Sequence, residues 1–159
     1  MEIIRGNEGN AEELASIISI SNTDVAKLFS ITKENNPKHP SFYTRDWVLS
    51  DMERGEQYFL FLKNGIAIGC VAVEFPNSEV SYLNRLSVLP KHRSNGVGEN
   101  LVNYVYEYSR ANHAKRISIG IIADHDVLKK WYVKLGFKEG ETRVFDHLPF
   151  NVTYLQYAL

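Results

Sequence analysis

The sequence predicts an α/β domain on a mixed sheet, and three observations carry that expectation. Two apolar runs, residues 58–62 and 66–75, flank Lys63-Asn64-Gly65, and Asn-Gly readily takes the positive φ of a tight hairpin turn. A strand over residues 79–89 leads through a glycine-bearing loop into a helix with Leu101, Val102 and Val105 on one face. The alternating segment 115–122 follows, and the order strand, crossover helix, strand implies parallel pairing. Two strand-like stretches, 137–145 and 150–159, flank the turn Asp146-His147-Leu148-Pro149.

The remaining elements fit around this frame. Residues 2–5, with two β-branched side chains, open as a strand. Asn10 ahead of Ala-Glu-Glu resembles a capping box, and Leu14, Ile17, Ile18 and Val25 follow at helical spacing. Residues 32–40 carry two prolines and two adjacent asparagines, which is loop chemistry. A second helix is predicted over 42–54, with Trp47, Val48 and Met52 apolar and Gly55 as its stop. Pro76-Asn77-Ser78 breaks the strand run. Asp124 or Asp126 caps a helix bearing Val127, Leu128, Trp131 and Leu135, which Gly136-Phe137 ends in a Schellman-type stop.

At 159 residues, 44% of them apolar, the chain reads as a single domain over 1–159 that can bury roughly 68–70% of its unfolded surface without a staple. Eighteen Lys and Arg against 19 Asp and Glu leave no basic excess to neutralise phosphates, so no nucleic-acid partner is expected. One cysteine forms no internal disulfide, and no Cys or His spacing suggests a metal site. The longest apolar stretch, 66–73, is far below the ~20 residues that span a bilayer. Met-Glu-Ile-Ile-Arg lacks a basic region followed by an apolar one. A cytoplasmic location without membrane contact is the expectation.

Chemistry concentrates in Leu86-Ser87-Val88-Leu89-Pro90-Lys91-His92-Arg93-Ser94-Asn95-Gly96-Val97-Gly98-Glu99, between a strand and a helix. Two glycines let the backbone turn tightly against a ligand, the N–H groups of the first helical turn favour an anion, and Arg93 adds a positive charge. The physical reading is a diphosphate cradle. A Walker loop fails because Gly98 is followed by Glu99 and Asn100 instead of Lys-Ser/Thr. A dinucleotide loop fails because its third glycine position holds Leu101.

The spacing Leu86-x-Val88-x-Pro90-x-x-Arg93-x-x-Gly96-x-Gly98, followed by Trp131-Tyr132-Val133-Lys134-Leu135-Gly136-Phe137, resembles the GNAT superfamily of acyl-CoA-dependent N-acyltransferases. The resemblance covers nearly the whole chain in element order. It implies a mostly antiparallel mixed sheet that splays at its central parallel strands, flanked by about four helices. It also implies acetyl-CoA as acyl donor and a small-molecule or peptide amine as acceptor. Carried over residue by residue, the amides of Arg93, Ser94, Asn95, Gly96, Val97 and Gly98, with Glu99 in the first turn, hold the pyrophosphate. Leu86, Ser87 and Val88 pair their main chain with the pantetheine arm, and Tyr132 is the general acid beside the sulfur. The family's frequent dimers extend the expectation to a homodimer.

The base that takes the amine's proton is less sharply marked. Glu79 can act through water, while Tyr82 and Asn84 stand near the position where some family members have a glutamate; a water relay is the preferred account. Where many members have asparagine seven positions before the tyrosine, this chain has His125. It either contacts the cofactor arm, titrates near neutrality, or is a surface residue of the capping segment. Cys70, in an apolar strand, reads as a buried inert thiol, and Asn151-Val152-Thr153 is discounted as a glycosylation site. Tyr104, Tyr106 and Tyr108 fall on different helix faces and read as packing. Phe42, Tyr43, Trp47, Phe145 and Phe150 are candidates for the acceptor wall, and no carboxylate cluster marks a polycationic acceptor. A second reading, of a different class, is a non-catalytic acyl-CoA-binding regulatory module.

Overall fold

The computed structural model describes all residues, Met1–Leu159. Seven strands form one sheet in the order β1-β2-β3-β4-β5-β7-β6, with β1 Glu2–Arg5, β2 Gln57–Lys63, β3 Ile66–Glu74, β4 Val80–Val88, β5 Arg116–Ile122, β6 Lys138–Arg143 and β7 Val152–Ala158. Only β4 and β5 run parallel; every other neighbouring pair is antiparallel. Four helices of nine residues or more, α1 Ala11–Ser21, α3 Arg45–Glu53, α4 Val97–Ala111 and α5 Asp126–Lys134, join a short α2, Thr23–Leu28. The expected mixed sheet, its central parallel pair and the helix count are all present.

Both faces of the central strands are covered, which is why β2 and β3 read as unbroken apolar runs instead of alternating ones. In β2, Phe59 and Phe61 point into a core shared with Leu101 and Val105 of α4, Ile117 of β5 and Leu155 of β7. Tyr58 and Leu60 point the opposite way, into a smaller core with Leu14 and Ile18 of α1 and Val48 of α3. The hairpin between β2 and β3 turns on Asn64 (φ 53°) and Gly65 (φ 76°), the two left-handed residues that Asn-Gly supplies.

Two caps and two boundaries differ from the sequence reading, each for a local reason. Asn10 stands at the N-cap of α1 as expected but makes no cap bond to it; its Oδ1 accepts from Asn7 N (2.9 Å), closing a capping box one turn earlier, with Asn7 Oδ1 accepting from Gly9 N (2.8 Å). The first helix does not continue to Val25. It breaks at Asn22, whose side-chain amide donates to Ile18 O (2.7 Å) and competes with the helical ladder. The next long helix starts at Arg45, not Phe42, with Thr44 accepting from Trp47 N (3.3 Å) as its cap. The last helix is capped by neither aspartate: His125 occupies the N-cap, its Nδ1 accepting from Leu128 N at 3.4 Å.

The stop of α5 is the Schellman motif expected from Gly136-Phe137. Phe137 N donates to Tyr132 O (3.1 Å) and Gly136 N to Val133 O (3.0 Å), with Gly136 at φ 107°. A Cβ at Gly136 would stand 2.8 Å from Tyr157 Cε2, so a side chain there meets steric as well as backbone resistance. Gly136→Ala is therefore expected to lower unfolding free energy by about 1–3 kcal/mol in urea titration. An unchanged midpoint would mean that this stop does not hold α5 in place.

Candidate functional site

The site begins where the parallel pair fails. β4 and β5 pair only through Val80, Ser81 and Tyr82 against Arg116, Ile117 and Ser118. Beyond that, the remaining six residues of β4 and four of β5 diverge. At about 3.3 Å per residue, this leaves roughly 20 Å of β4 backbone with no strand on its β5 side. Unpaired backbone of this length needs hydrogen-bonding partners from outside the sheet.

β4 also carries one extra residue. Cys70 pairs with Ser87 and Ala72 with Asn84, so three steps on β4 oppose two on β3. Arg85 takes the strain with φ 50°. The bulge turns Arg85 to the sheet face that carries α1 and α3, where it meets Tyr58 and Asp51, while Leu86 and Val88 pack on the α4 side. Ser87, buried, returns to the α1 face, 3.4 Å from Asn22 Nδ2.

The splayed end of β4 runs into the Arg93–Gly98 loop. Ser94 (φ 64°) and Gly96 (φ 81°) are both left-handed, and Gly96 offers no side chain to cap α4. The first bond at the helix start runs from Asn100 N to Gly96 O (3.0 Å), so the amides of Val97, Gly98 and Glu99 have no helical acceptor. These free N–H groups sit at the positive end of a 15-residue helix. Gly98 is needed for another reason: a Cβ there would meet Trp131 of α5 at 3.2 Å.

Arg93 does something other than lend charge to the loop. Its Nη1 donates to Asp24 (2.6 Å), its Nη2 to Ser21 O (2.6 Å) and its Nε to Val88 O (3.2 Å). The guanidinium thus ties the loop to the junction of α1 and α2. Burial pushes the Asp24 carboxyl up, but the Arg93 hydrogen bond and charge outweigh it and hold the group below its ordinary value.

Tyr132 lies on α5, buried among Trp131, Phe137 and the α4-side core. Burial, reinforced by Tyr106, pushes its phenol well above the ordinary value, so it stays protonated at neutral pH. His125 sits seven residues earlier with its ring 5.5 Å from Phe29. Burial lowers its pKa against the opposing pull of Asp24 and Asp126, and its cap bond uses Nδ1 as acceptor, the neutral form. Cys70 is fully buried, and burial pushes its thiol up to about 12, partly offset by Ser87.

Two crevices flank β4 on the α1–α3 face. One, of about 530 Å³, is lined by Tyr82, Asn84, Ser118, Gly120, Glu141 and Tyr154 among others. The other, of about 500 Å³, lies between α3 and the bulge and is lined by Lys38, Tyr43, Trp47, Asp51, Arg54 and Arg85 with Pro40 and Ser50. Of the five aromatic candidates for the acceptor wall, only Tyr43 and Trp47 line either crevice. Phe42 lies under Lys33, and Phe145 stands edge-on to His147. Glu79 is not brought to this region. It is exposed beside the paired end of the parallel strands, with Lys115 Nζ at 3.2 Å and Arg116 at 3.8 Å.

A buried ionic network that the sequence reading missed underlies the second crevice. Asp51 Oδ2 accepts from the hydroxyls of Tyr43 and Tyr58 (2.6 Å for Tyr58) and lies 3.5 Å from Arg85, while Oδ1 takes Arg54 at 2.9 Å. Glu56 pairs with Arg85 and, at 3.2 Å, with Arg54. Arg85 Nε donates to Tyr58 (2.8 Å), and its guanidinium lies over the Tyr43 ring at 5.3 Å. Burial pushes the Tyr43 hydroxyl up to about 12, so it remains a donor. A carboxylate pair therefore does exist, but two arginines neutralise it. The available signal was Arg85 itself, the one charged residue within the strand Val80–Val88.

The Acetyltransferase (GNAT) family model matches residues 22–137, more than half of the chain. The chain belongs to the GNAT acetyltransferase family. Solved structures with the same fold include a GNAT family acetyltransferase from Elizabethkingia anophelis with acetyl-CoA bound, at 15% identity and TM-score 0.73 over 99% of this chain and 97% of that one. An acetyltransferase from Streptococcus agalactiae shares 20% identity at TM-score 0.74, covering 99% and 98%. A ribosomal-protein-alanine N-acetyltransferase from Brucella melitensis shares 16% at TM-score 0.73, covering 100% of both chains. No match was found among curated proteins. No helix of this GNAT chain is long and apolar enough to cross a membrane, and no group of three or more His, Cys, Asp or Glu could hold a metal ion.

The Arg93–Asp24 tie has a definite pH signature. Asp24 has a lower pKa folded than its ordinary 3.8, so its contribution is present above that value and is lost as the pH falls through the folded one. Both side chains are partly exposed, so Asp24→Asn is expected to cost at most about 1 kcal/mol at pH 7. The cost should vanish in acid, as read from urea unfolding at each pH. A penalty that persists after the carboxyl is protonated would assign the loss to something other than the ion pair.

Proposed function

We propose that this chain transfers an acetyl group from acetyl-CoA to a primary amine by direct attack with both substrates bound, and that Tyr132 is the general acid. The observation that carries this reading is the divergence of β4 from β5, which ends at the uncapped start of α4. The free backbone there fits an elongated donor with a diphosphate. The amides of residues 93–98, with Glu99 in the first turn, would hold the pyrophosphate, and the main chain of Leu86, Ser87 and Val88 would hold the pantetheine arm. His125, with its acceptor nitrogen engaged in the helix cap, would face the arm through its other edge. Bound there, acetyl-CoA supplies an activated thioester.

The chain's own groups then have separable tasks. Tyr132, kept protonated by burial, holds the proton that the departing sulfur needs as the carbon–sulfur bond breaks and the carbon–nitrogen bond forms. General-acid help of this kind is worth about 10²–10⁴-fold in rate. The surplus proton of the amine leaves through water held near Tyr82 and Asn84, which line the crevice beside the splay. Asp51 and Glu56 are poor bases for this step, because arginine and tyrosine donors already occupy them.

Thiol release from acetyl-CoA across a panel of primary amines tests the reading. Tyr132→Phe is expected to lower kcat by about 10²–10⁴-fold while CoA still binds. CoA at 100 times its dissociation constant should raise stability by ~2.7 kcal/mol, and ATP and NAD should not. CoA binding with no amine able to accelerate thiol release would overturn catalysis in favour of a binding module.

A further inference from the structure

The crevice between α3 and the β4 bulge has its acids turned inward and its cations turned outward. A carboxylate offers about four lone-pair positions. In Asp51, two tyrosine hydroxyls, Arg85 and Arg54 take them. Glu56, whose side chain is 2% exposed, lies beneath, with Arg54 on one oxygen and Arg85 on the other. Asp51 thus has no free position for an ammonium group, and Glu56 is buried and does not line the crevice.

The positive side is different. Arg85 commits Nε and Nη2, and its Nη1 has no partner. Arg54, with a side chain 54% exposed, commits only Nη2. Lys38, exposed on the same wall, has no carboxylate within 4.0 Å. Glu74 also acts on Arg54 electrostatically, so Lys38, Arg54 and Arg85 face three carboxylates, but the hydrogen-bonding positions left uncommitted at the crevice belong to the three cations. The aromatic wall does not offset this: the Tyr43 ring already carries Arg85 at 5.3 Å and Trp47 edge-on at 5.3 Å.

We infer that the acceptor is a primary amine carrying a carboxylate, which docks on Arg54, Lys38 and Arg85 while its amine reaches the splay beside Asn84. Asn84 and Arg85 are consecutive, and the bulge turns both to one sheet face, so acid and amine are recognised within a single small molecule. The inference rests on the acetyl-transfer reading above and adds the chemical class of the acceptor.

The test uses free amino acids, with one to several carbons between amine and acid, each paired with its carboxamide. Amine-dependent thiol release is measured for wild type, Lys38→Gln and Arg54→Gln. The best free acid is expected to exceed its carboxamide by about ten- to a hundredfold in kcat/KM, the range that charge-assisted hydrogen bonds supply. The difference should sit in KM and shrink with added salt. The ratio should fall several-fold in Lys38→Gln and approach one in Arg54→Gln. Lys38 is exposed, so its variant tests charge without disturbing the core, and stabilisation by CoA checks that Arg54→Gln is folded. Carboxamides used as well as the acids, or a ratio unmoved in both variants, would overturn the inference and leave acetyl transfer standing. CoA binding with no amine of either kind turned over would overturn acetyl transfer and this inference together.

Discussion

The structure depends on a refusal to pair. After Tyr82, β4 and β5 share a sheet but not hydrogen bonds, and the backbone exposed along β4 is a ready surface for an extended ligand. Nothing in local propensity requires the separation, since β5 is rich in isoleucine and β4 carries Val80, Tyr82, Leu83, Leu86 and Val88. It arises from what is attached at each end. β4 is held to β3 through a bulge that adds a residue and twist, and β5 is held along its whole length to β7. The two partners draw the parallel strands apart, and α4 begins where the gap is open, after Ser94 and Gly96, whose left-handed backbone aims the helix start at it.

Arg85 shows how such strain is accommodated. A non-glycine residue at φ 50° is costly, of order 1–3 kcal/mol, and persists where its surroundings over-determine it. Here Glu56, Asp51, Tyr58 and Tyr43 all engage one guanidinium. Removing one member of a buried ionic set typically costs about 3–5 kcal/mol, because the remaining charges are left without partners. The network therefore locks the bulge, and the bulge sets which β4 side chains face the two crevices.

Much of this was legible in the sequence, for identifiable reasons. The Asn64-Gly65 hairpin, the Gly136 stop and the strand-loop-helix passage around Gly96 and Gly98 are written in residues whose backbone preferences are local, so they could be read one segment at a time. What was hidden was long-range. Asp51 lies on α3, Glu56 in the connection to β2 and Arg85 on β4, and only folding brings Arg85 to the two acids. The cap bonds of Asn7 and His125 are not legible locally, because several polar residues stand within a turn of each helix start and the fold selects among them. Glu79 was attractive as a carboxylate at a strand opening, but its end of β4 is the paired end.

Arg93 sharpens the difference between a motif and its chemistry. Within the Arg-x-x-Gly-x-Gly spacing, the arginine invites a role as a phosphate ligand, yet all of its hydrogen bonds run to Asp24, Ser21 O and Val88 O. Its guanidinium lies between two parts of the chain about seventy residues apart, and it fixes the loop's path instead of its charge. In the proposed reading, anion binding is left to amides, whose geometry is set by the left-handed turns at Ser94 and Gly96 and by the dipole of α4. A backbone cradle of this kind tolerates wide change in side chains so long as the turn survives. The fold is shared nearly end to end with acetyltransferases at 15–20% identity, a divergence that a backbone site would withstand.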